Sequence, residues 1–282
     1  MRIKASASGW ARTGLGMRYL GILLLALGYL GFAQPAMASG VNLVTNGDFD
    51  TTTNGTGEMA VNSSNVELTT GTDITDPTGW YSTYTASNAG YPFLFVVGPN
   101  TADTTGFGDA WDGDVQKTIW GPGDGSANGF TNNSPTGGNF LISDGDYHRS
   151  AIDQNISGLV VGTVYNVTFN WAAGQWSGNT GITTEQWQVS LGDLVKATNI
   201  VTNPSEGFSG WYSASFNFEY DGSSDVLSFL ALGTPSGEPP MLLLDGVSMV
   251  AMPEPGSLGL LATGMFGLVL LRRRKMVLSH LV

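Results

Sequence analysis

The strongest constraint on the fold is a two-residue hydrophobic period in the middle of the chain. Over residues 164–171, aromatic and aliphatic side chains alternate with Asn and Thr, and similar alternation recurs at residues 187–191 and 212–220. Because successive side chains of a strand point to opposite faces, this period predicts half-buried β-strands. Continuous apolar runs predict more fully buried strands at residues 93–97, 226–232 and 241–244.

The segments between these candidate strands have the composition of turns. Gly, Asn, Asp, Ser and Pro cluster at residues 121–129 and 132–138, and no long amphipathic helix stands out. Several short strands with polar connections predict an all-β fold, an antiparallel β-sandwich or jelly roll. We assign this domain to residues 39–251.

The charge of this domain is strongly acidic. Its cations are Lys117, Arg149 and Lys196, against 22 Asp and Glu, which gives a net charge near −19. Such a surface repels nucleic acid, so nucleic-acid binding is excluded. The chain has no cysteine, which excludes disulfides, thiolate nucleophiles and zinc–thiolate sites.

The N-terminal segment has the pattern of a secretory signal. Basic residues precede an apolar stretch at 19–32, and Ala36 and Ala38 offer the small side chains that a signal peptidase requires. We predict that residues 1–38 form a signal peptide with an apolar helix. Met17 begins a more compact signal, so translation from Met17 stays an alternative.

The C-terminal segment, residues 252–282, combines an extended elbow, a short apolar run and a basic cluster. The sixteen apolar or small residues at 256–271 would span roughly 24 Å as a helix, less than the roughly 30 Å of a hydrocarbon core. The basic cluster would stay on the cytoplasmic side and leave the domain outside. The residues of the elbow and the cluster are Pro253, Glu254, Pro255, Arg272, Arg273, Arg274 and Lys275.

This arrangement resembles the PEP-CTERM sorting signal of bacterial exported proteins, which is also catalogued under an ice-binding C-terminal name. The resemblance implies a single transmembrane helix that holds the protein in the inner membrane transiently. An exosortase-type enzyme would then process it, after signal peptidase has removed the leader. The alternative is a short permanent anchor.

The two ends of the domain resemble the first and last strands of galactose-binding-like β-sandwiches, a group with many carbohydrate-binding modules. The similar segments are residues 42–50 and 242–247. In such relatives acidic residues at these ends often ligate a structural calcium, and by position the ligands would be Asp50 and Asp245. Hard carboxylate oxygens suit Ca²⁺; the alternative is that these carboxylates face water or cap a turn.

The residues offer little evidence for catalysis. His148 is the one histidine of the domain, and a site built from Ser143, Asp144 and His148 would be crowded on one loop. No nucleophile elbow, phosphate loop or zinc-protease motif is present. We therefore predict that the protein is not an enzyme, although 22 acids leave glycoside hydrolysis open.

Tryptophans give the positive signal for a ligand. Trp111, Trp120 and Trp176 lie in Gly-, Asp- and Asn-rich surroundings, where an indole face can stack on a sugar ring. The alternative is packing beneath loops, as we expect of the strand residues Trp171, Trp187 and Trp211 in the core.

Three functions remain open. The first is a noncatalytic exported protein at the cell surface or in the extracellular matrix, associated with exopolysaccharide. The second is a carbohydrate-binding module, and the third is an exported hydrolase.

Overall fold

The computed structural model describes residues 40–59, 75–82, 93–107, 117–147 and 149–253, together with Gly264. Residues Gly40–Met252 form one compact unit. Of the second unit, Met1–Ser39 and Pro253–Val282, only Pro253 and Gly264 are described. The predicted signal helix and nearly all of the C-terminal helix lie outside the described residues and stay predictions. In the described part of the chain, no helix is long and apolar enough to cross a membrane.

The described residues form twelve β-strands and one 3₁₀ turn at Pro122–Asp124. The strands are β1 (Gly57–Glu58), β2 (Tyr81–Ser82), β3 (Leu94–Val97), β4 (Phe140–Asp144), β5 (Ala151–Asn155), β6 (Val164–Gln175), β7 (Thr183–Leu191), β8 (Leu194–Ala197), β9 (Val201–Asn203), β10 (Tyr212–Glu219), β11 (Val226–Thr234) and β12 (Pro240–Ala251).

The strands are arranged in two antiparallel sheets. The front sheet has the order β1-β3-β4-β12-β6-β10, and the back sheet has the order β2-β5-β11-β7-β8, with β9 also paired to β7. The predicted all-β, antiparallel class is confirmed, and a β-sandwich fits the arrangement.

The main core lies between the two sheets. Phe169 of β6 meets Phe229 of β11 edge-on with ring centroids 5.1 Å apart, and Phe229 also contacts Trp187 of β7. The Trp187 indole N–H donates to the carbonyl of Leu243 at 3.1 Å. The alternation predicted at residues 164–171 is confirmed, because the apolar side chains of this part of β6 are buried in this core.

A second apolar cluster lies on the opposite face of the front sheet. Residues 98–107 and 117–139, the cover segment, place Phe107, Ile119 and Phe130 against apolar side chains of β3, β4, β6 and β12. This half of the front sheet is therefore buried on both faces. The cover segment explains why residues 93–97 and 241–244 are continuously apolar. Both runs are buried as predicted, apart from Phe93, which is half-buried.

The prediction for residues 226–232 was wrong in one respect. In β11, Leu227, Phe229 and Ala231 are buried, whereas the side chains between them are half-buried. The difference arises because these intervening side chains point away from the core, on a face of the back sheet that the described residues do not bury.

The first motif of the domain runs beside β12 as an irregular segment. The Leu43 N–H donates to the Met249 carbonyl at 2.8 Å, and the Val247 N–H donates to the Gly47 carbonyl at 2.8 Å. A Cβ at Gly47 would lie 1.9 Å from the Val247 carbonyl oxygen, so only glycine permits this approach. The two motifs at the ends of the domain are therefore neighbours.

Candidate functional site

A cavity of about 310 Å³ lies at one end of the front sheet, and we call it the end cavity. Antiparallel pairing brings the ends of β4 and β6 beside the starts of β3 and β12. The residues that line it are Phe93, Lys117, Asp144, Asp146, Tyr147, Trp176, Ser236, Gly237 and Pro239.

Three aromatic rings form one wall of the end cavity. Phe93 packs edge-on against Tyr147 with centroids 5.0 Å apart, and against Trp176 at 5.8 Å with a 46° tilt. Tyr147 is 53% exposed, so its ring is accessible to a ligand. These residues stand just before β3, just after β4 and just after β6, which is why residues far apart in sequence meet here.

Asp144 is the buried acid of the end cavity. Its Oδ1 accepts hydrogen bonds from the backbone N–H groups of Asp146 at 2.7 Å and Tyr147 at 3.0 Å. Its Oδ2 is buried and has no hydrogen-bond partner among the described residues. Burial raises the pKa of Asp144 to about 6, although the two backbone bonds and the charge of Arg149 act in the opposite direction.

Lys117 supplies a cation to the same cavity. Its Nζ lies 4.8 Å from the centroid of the Trp176 ring, within the range of a cation–π contact. The lysine is held there by backbone hydrogen bonds to Phe107 in both directions. The cavity thus combines aromatic faces with donors and acceptors of hydrogen bonds.

Of the predicted ligand tryptophans that the structure describes, Trp176 lines the end cavity and Trp120 does not. The Trp120 indole N–H donates to the Asn179 carbonyl at 2.7 Å. Trp111 lies outside the described residues. Of the three tryptophans expected in the core, Trp171 and Trp187 are buried, whereas Trp211 is half-buried and packs on Phe140 of the second cluster.

Phe93 and Tyr147 line the end cavity without having been predicted as site residues, and Asp144 was predicted only as a possible member of a catalytic group. Ser143 and Asp144 are adjacent in β4, so their side chains point to opposite faces and cannot act together. His148 lies outside the described residues. A usable signal was present in Asp144 to Tyr147, an acidic and aromatic turn directly after a buried strand.

The candidate calcium ligands contact successive parts of one loop. The buried Asp245 carboxylate accepts hydrogen bonds from the hydroxyls of Ser134 and Thr136, while an Oδ1 of the exposed Asp50 accepts the Asn139 N–H at 2.7 Å. Burial raises the pKa of Asp245 to about 6. These oxygens are of the type that Ca²⁺ prefers. The described residues contain no cluster of three or more acidic or histidine side chains, so calcium stays a prediction.

Comparison with curated proteins finds no match. Among solved structures, the CBM22-2 xylan-binding domain of Paenibacillus barcinonensis Xyn10C is 12% identical and has a TM-score of 0.33; the match covers 63% of this chain and 94% of that domain. The arabinose-bound MgGH51 α-L-arabinofuranosidase is 10% identical with a TM-score of 0.37, covering 74% and 26% of the two chains.

The enzymatically active domain of tailspike protein 4 from bacteriophage CBA120 is 12% identical with a TM-score of 0.31. That match covers 75% of this chain and 22% of the tailspike, so this chain spans about a fifth of its length. All three structural likenesses are weak.

The C-terminal resemblance is confirmed independently of these structures. A family model described as the PEP-CTERM protein-sorting motif matches residues 253–275, from the first proline of the elbow to the last residue of the basic cluster. The chain therefore carries a PEP-CTERM sorting motif, which indicates export and sorting to the cell surface.

Proposed function

We propose that this protein is a noncatalytic component of the cell surface or extracellular matrix that binds exopolysaccharide through the end cavity. The observation that carries the proposal is the wall of Phe93, Tyr147 and Trp176 beside the unpartnered Oδ2 of Asp144. The sorting motif supports the location, because it directs the protein to the outside of the cell.

The chemistry of the end cavity suits a sugar. The apolar face of a pyranose ring can stack on an aromatic side chain, while carboxylate and ammonium groups bind its hydroxyls. The volume of about 310 Å³ is at the lower end of the range for ligand pockets, so the cavity would hold a short section of a chain.

Among the residues that the structure describes, the arrangement of acids in the end cavity favours binding over hydrolysis. A glycosidase needs two carboxyl groups that flank the scissile bond from different sides. Asp144 and Asp146 belong to one tight turn, in which the Asp146 N–H bonds the Asp144 carboxylate at 2.7 Å. Both acids therefore approach a ligand from the same side of the cavity.

The test is a polysaccharide-binding assay of the wild type, Trp176→Ala and Tyr147→Ala on neutral and acidic glycans. We expect each variant to bind about tenfold more weakly, because each loses a stacking surface. Tyr81→Ala is the matched control, since this half-buried tyrosine lies on β2 outside the end cavity and should leave binding unchanged. Unchanged binding by both cavity variants, or release of sugar products by the wild type, would contradict the proposal.

A further inference from the structure

A second groove, of about 350 Å³, lies between the edge strands of the two sheets, and we call it the seam groove. Its front side is β10, and its back side is the edge that β8 and β9 form along β7. The residues that line it are Trp171, Ala197, Thr198, Asn199, Val201, Tyr212, Ser213, Ala214, Ser215 and Phe216.

The groove exists because the edge of the back sheet is interrupted. β8 pairs with residues 188–191 of β7 and β9 pairs with residues 183–185, so residues 198–200 pass between the two short strands. Across the seam, Tyr212, Ala214 and Phe216 of β10 lie opposite core residues of β6 in the register. These three side chains face the interior but remain partly exposed, since no strand of the back sheet fully covers them.

Aromatic contacts mark both ends of this region of β10. At one end, the Tyr212 ring packs on Trp171 with centroids 5.1 Å apart and a 37° tilt, while 40% of Tyr212 stays exposed. At the other end, the Lys196 Nζ reaches across from β8 to lie 5.8 Å from the centroid of Phe218. The lining residues of β10 run from Tyr212 to Phe216, four residue steps, so the seam groove extends roughly 13 Å along this strand, and Phe218 and Lys196 lie beyond its lining residues.

The lining of the seam groove is neutral, although the domain carries a net charge near −19. The exposed residue Asn199 lines the groove together with Tyr212 and offers amide groups that can donate and accept hydrogen bonds. A groove that runs roughly 13 Å along a strand, has no charged lining residue and combines an aromatic platform with an amide side chain has the chemistry that a neutral sugar chain requires.

We propose that the seam groove is a second glycan-binding site, which takes an unbranched neutral polysaccharide. The proposal shares its ligand class with the function proposed for the end cavity and rests on it in that respect. The two sites have no lining residue in common. A polymer that reaches both sites would bind more tightly than a short oligosaccharide, because the second contact becomes intramolecular.

A polypeptide strand is a poorer occupant of the seam groove. A strand that paired with the free edge of β10 would extend the front sheet in its own plane. The exposed Tyr212 face points instead toward the interior side of that sheet, as its pairing with the buried Trp171 shows. Strand addition would therefore leave the aromatic platform uncovered.

The experiment is isothermal titration of the detergent-solubilised full-length protein with cellohexaose, xylohexaose and mannohexaose. We expect at least one of these to bind at two sites per chain. Tyr212→Ala should remove one site or weaken it about tenfold, and Ala214→Trp should do the same by filling the groove, because Ala214 lines it and faces the interior side of β10. Tyr81→Ala should retain both sites, and thermal unfolding checks that each variant is folded.

The outcomes separate the two sites. Loss of one site in Tyr212→Ala and of the other in Trp176→Ala supports both proposals. If Trp176→Ala has no effect while Tyr212→Ala and Ala214→Trp abolish binding, the seam groove stands and the end cavity fails. If the seam variants bind like the wild type, or if no hexasaccharide binds, the seam groove is overturned as a glycan site.

Discussion

At the scale of single residues, Glu185 is the least expected side chain in the core. It is fully buried on β7, and the Thr183 hydroxyl donates to its Oε1, while its Oε2 has no partner among the described residues. Asn203 lies opposite Thr183 in the register, is also buried, and has an unpartnered Oδ1. Burial raises the pKa of Glu185 to about 8, so the protonated form prevails at neutral pH.

We predict that Glu185→Gln stabilises the protein in alkaline solution. Because the folded-state pKa lies above the ordinary value, the free energy of unfolding that this group contributes is complete below about pH 4.5 and is lost as the pH rises through about 8. The amide stays neutral, so the variant should exceed the wild type by roughly 4–5 kcal/mol at pH 9 and differ little at pH 4.5.

Urea unfolding between pH 4.5 and 9 measures this difference. Glu219→Gln is the control, because Glu219 is exposed on the edge strand β10 and its replacement should leave the pH profile unchanged. If the free energy of unfolding depends on pH in the same way for the wild type and Glu185→Gln, ionisation of Glu185 does not destabilise the folded protein.

At the scale of elements, the sequence pattern predicted where strands lie better than it predicted which of their faces are covered by other segments. Residues 164–171 of β6 alternate between apolar and polar side chains because only one face of this part of the strand is buried. Residues 172–175 are buried on both faces, since the cover segment lies over them. Ile119 is followed by Trp120 and then by turn-forming residues, and Phe130 stands alone among such residues, so no period indicated that this segment would pack on the sheet.

The end cavity was partly predictable for a related reason. Trp176 stood out by its polar surroundings, and the structure places it in the cavity. Phe93 looked like part of a buried strand, and Tyr147 was marked only by its acidic and aromatic turn directly after a buried strand. Their meeting depends on the register of β3, β4, β12 and β6, which a single sequence does not specify.

The cover segment should therefore contribute to stability as a true part of the core. Phe130 is 2% exposed and packs on Phe208 with centroids 4.7 Å apart. We predict that Phe130→Ala lowers the free energy of unfolding by about 3–5 kcal/mol, because it leaves a cavity beneath the segment. Val161→Ala, at a position that is 66% exposed, should change it by less than about 0.5 kcal/mol in the same urea titration. Equal stability of the two variants would show that the segment is dispensable.

At the scale of the whole molecule, the sorting motif and the candidate binding sites occupy separate parts of the sequence. The described domain, which ends at Met252, carries both candidate glycan sites, whereas the sorting motif begins at the next residue. Pro253 is exposed, and two prolines around Glu254 keep the elbow from continuing a helix. Removal of residues 254–282 would therefore take away no residue that lines either candidate site.

We predict that the protein recovered from the cell surface lacks everything after the Pro253–Glu254–Pro255 elbow and also lacks residues 1–38. The apolar run of sixteen residues is short for a permanent anchor, so processing should decide the final location. Intact-mass spectrometry of the surface fraction measures both ends. Replacing Pro253, Glu254 and Pro255 by alanine should retain residues 256–282 and keep the protein in the membrane fraction, while Pro204→Ala, an exposed proline within the domain, should leave processing unchanged. An intact tail on the wild-type surface protein would mean that the segment is a permanent anchor, which holds both glycan sites at the membrane instead of releasing them into the matrix.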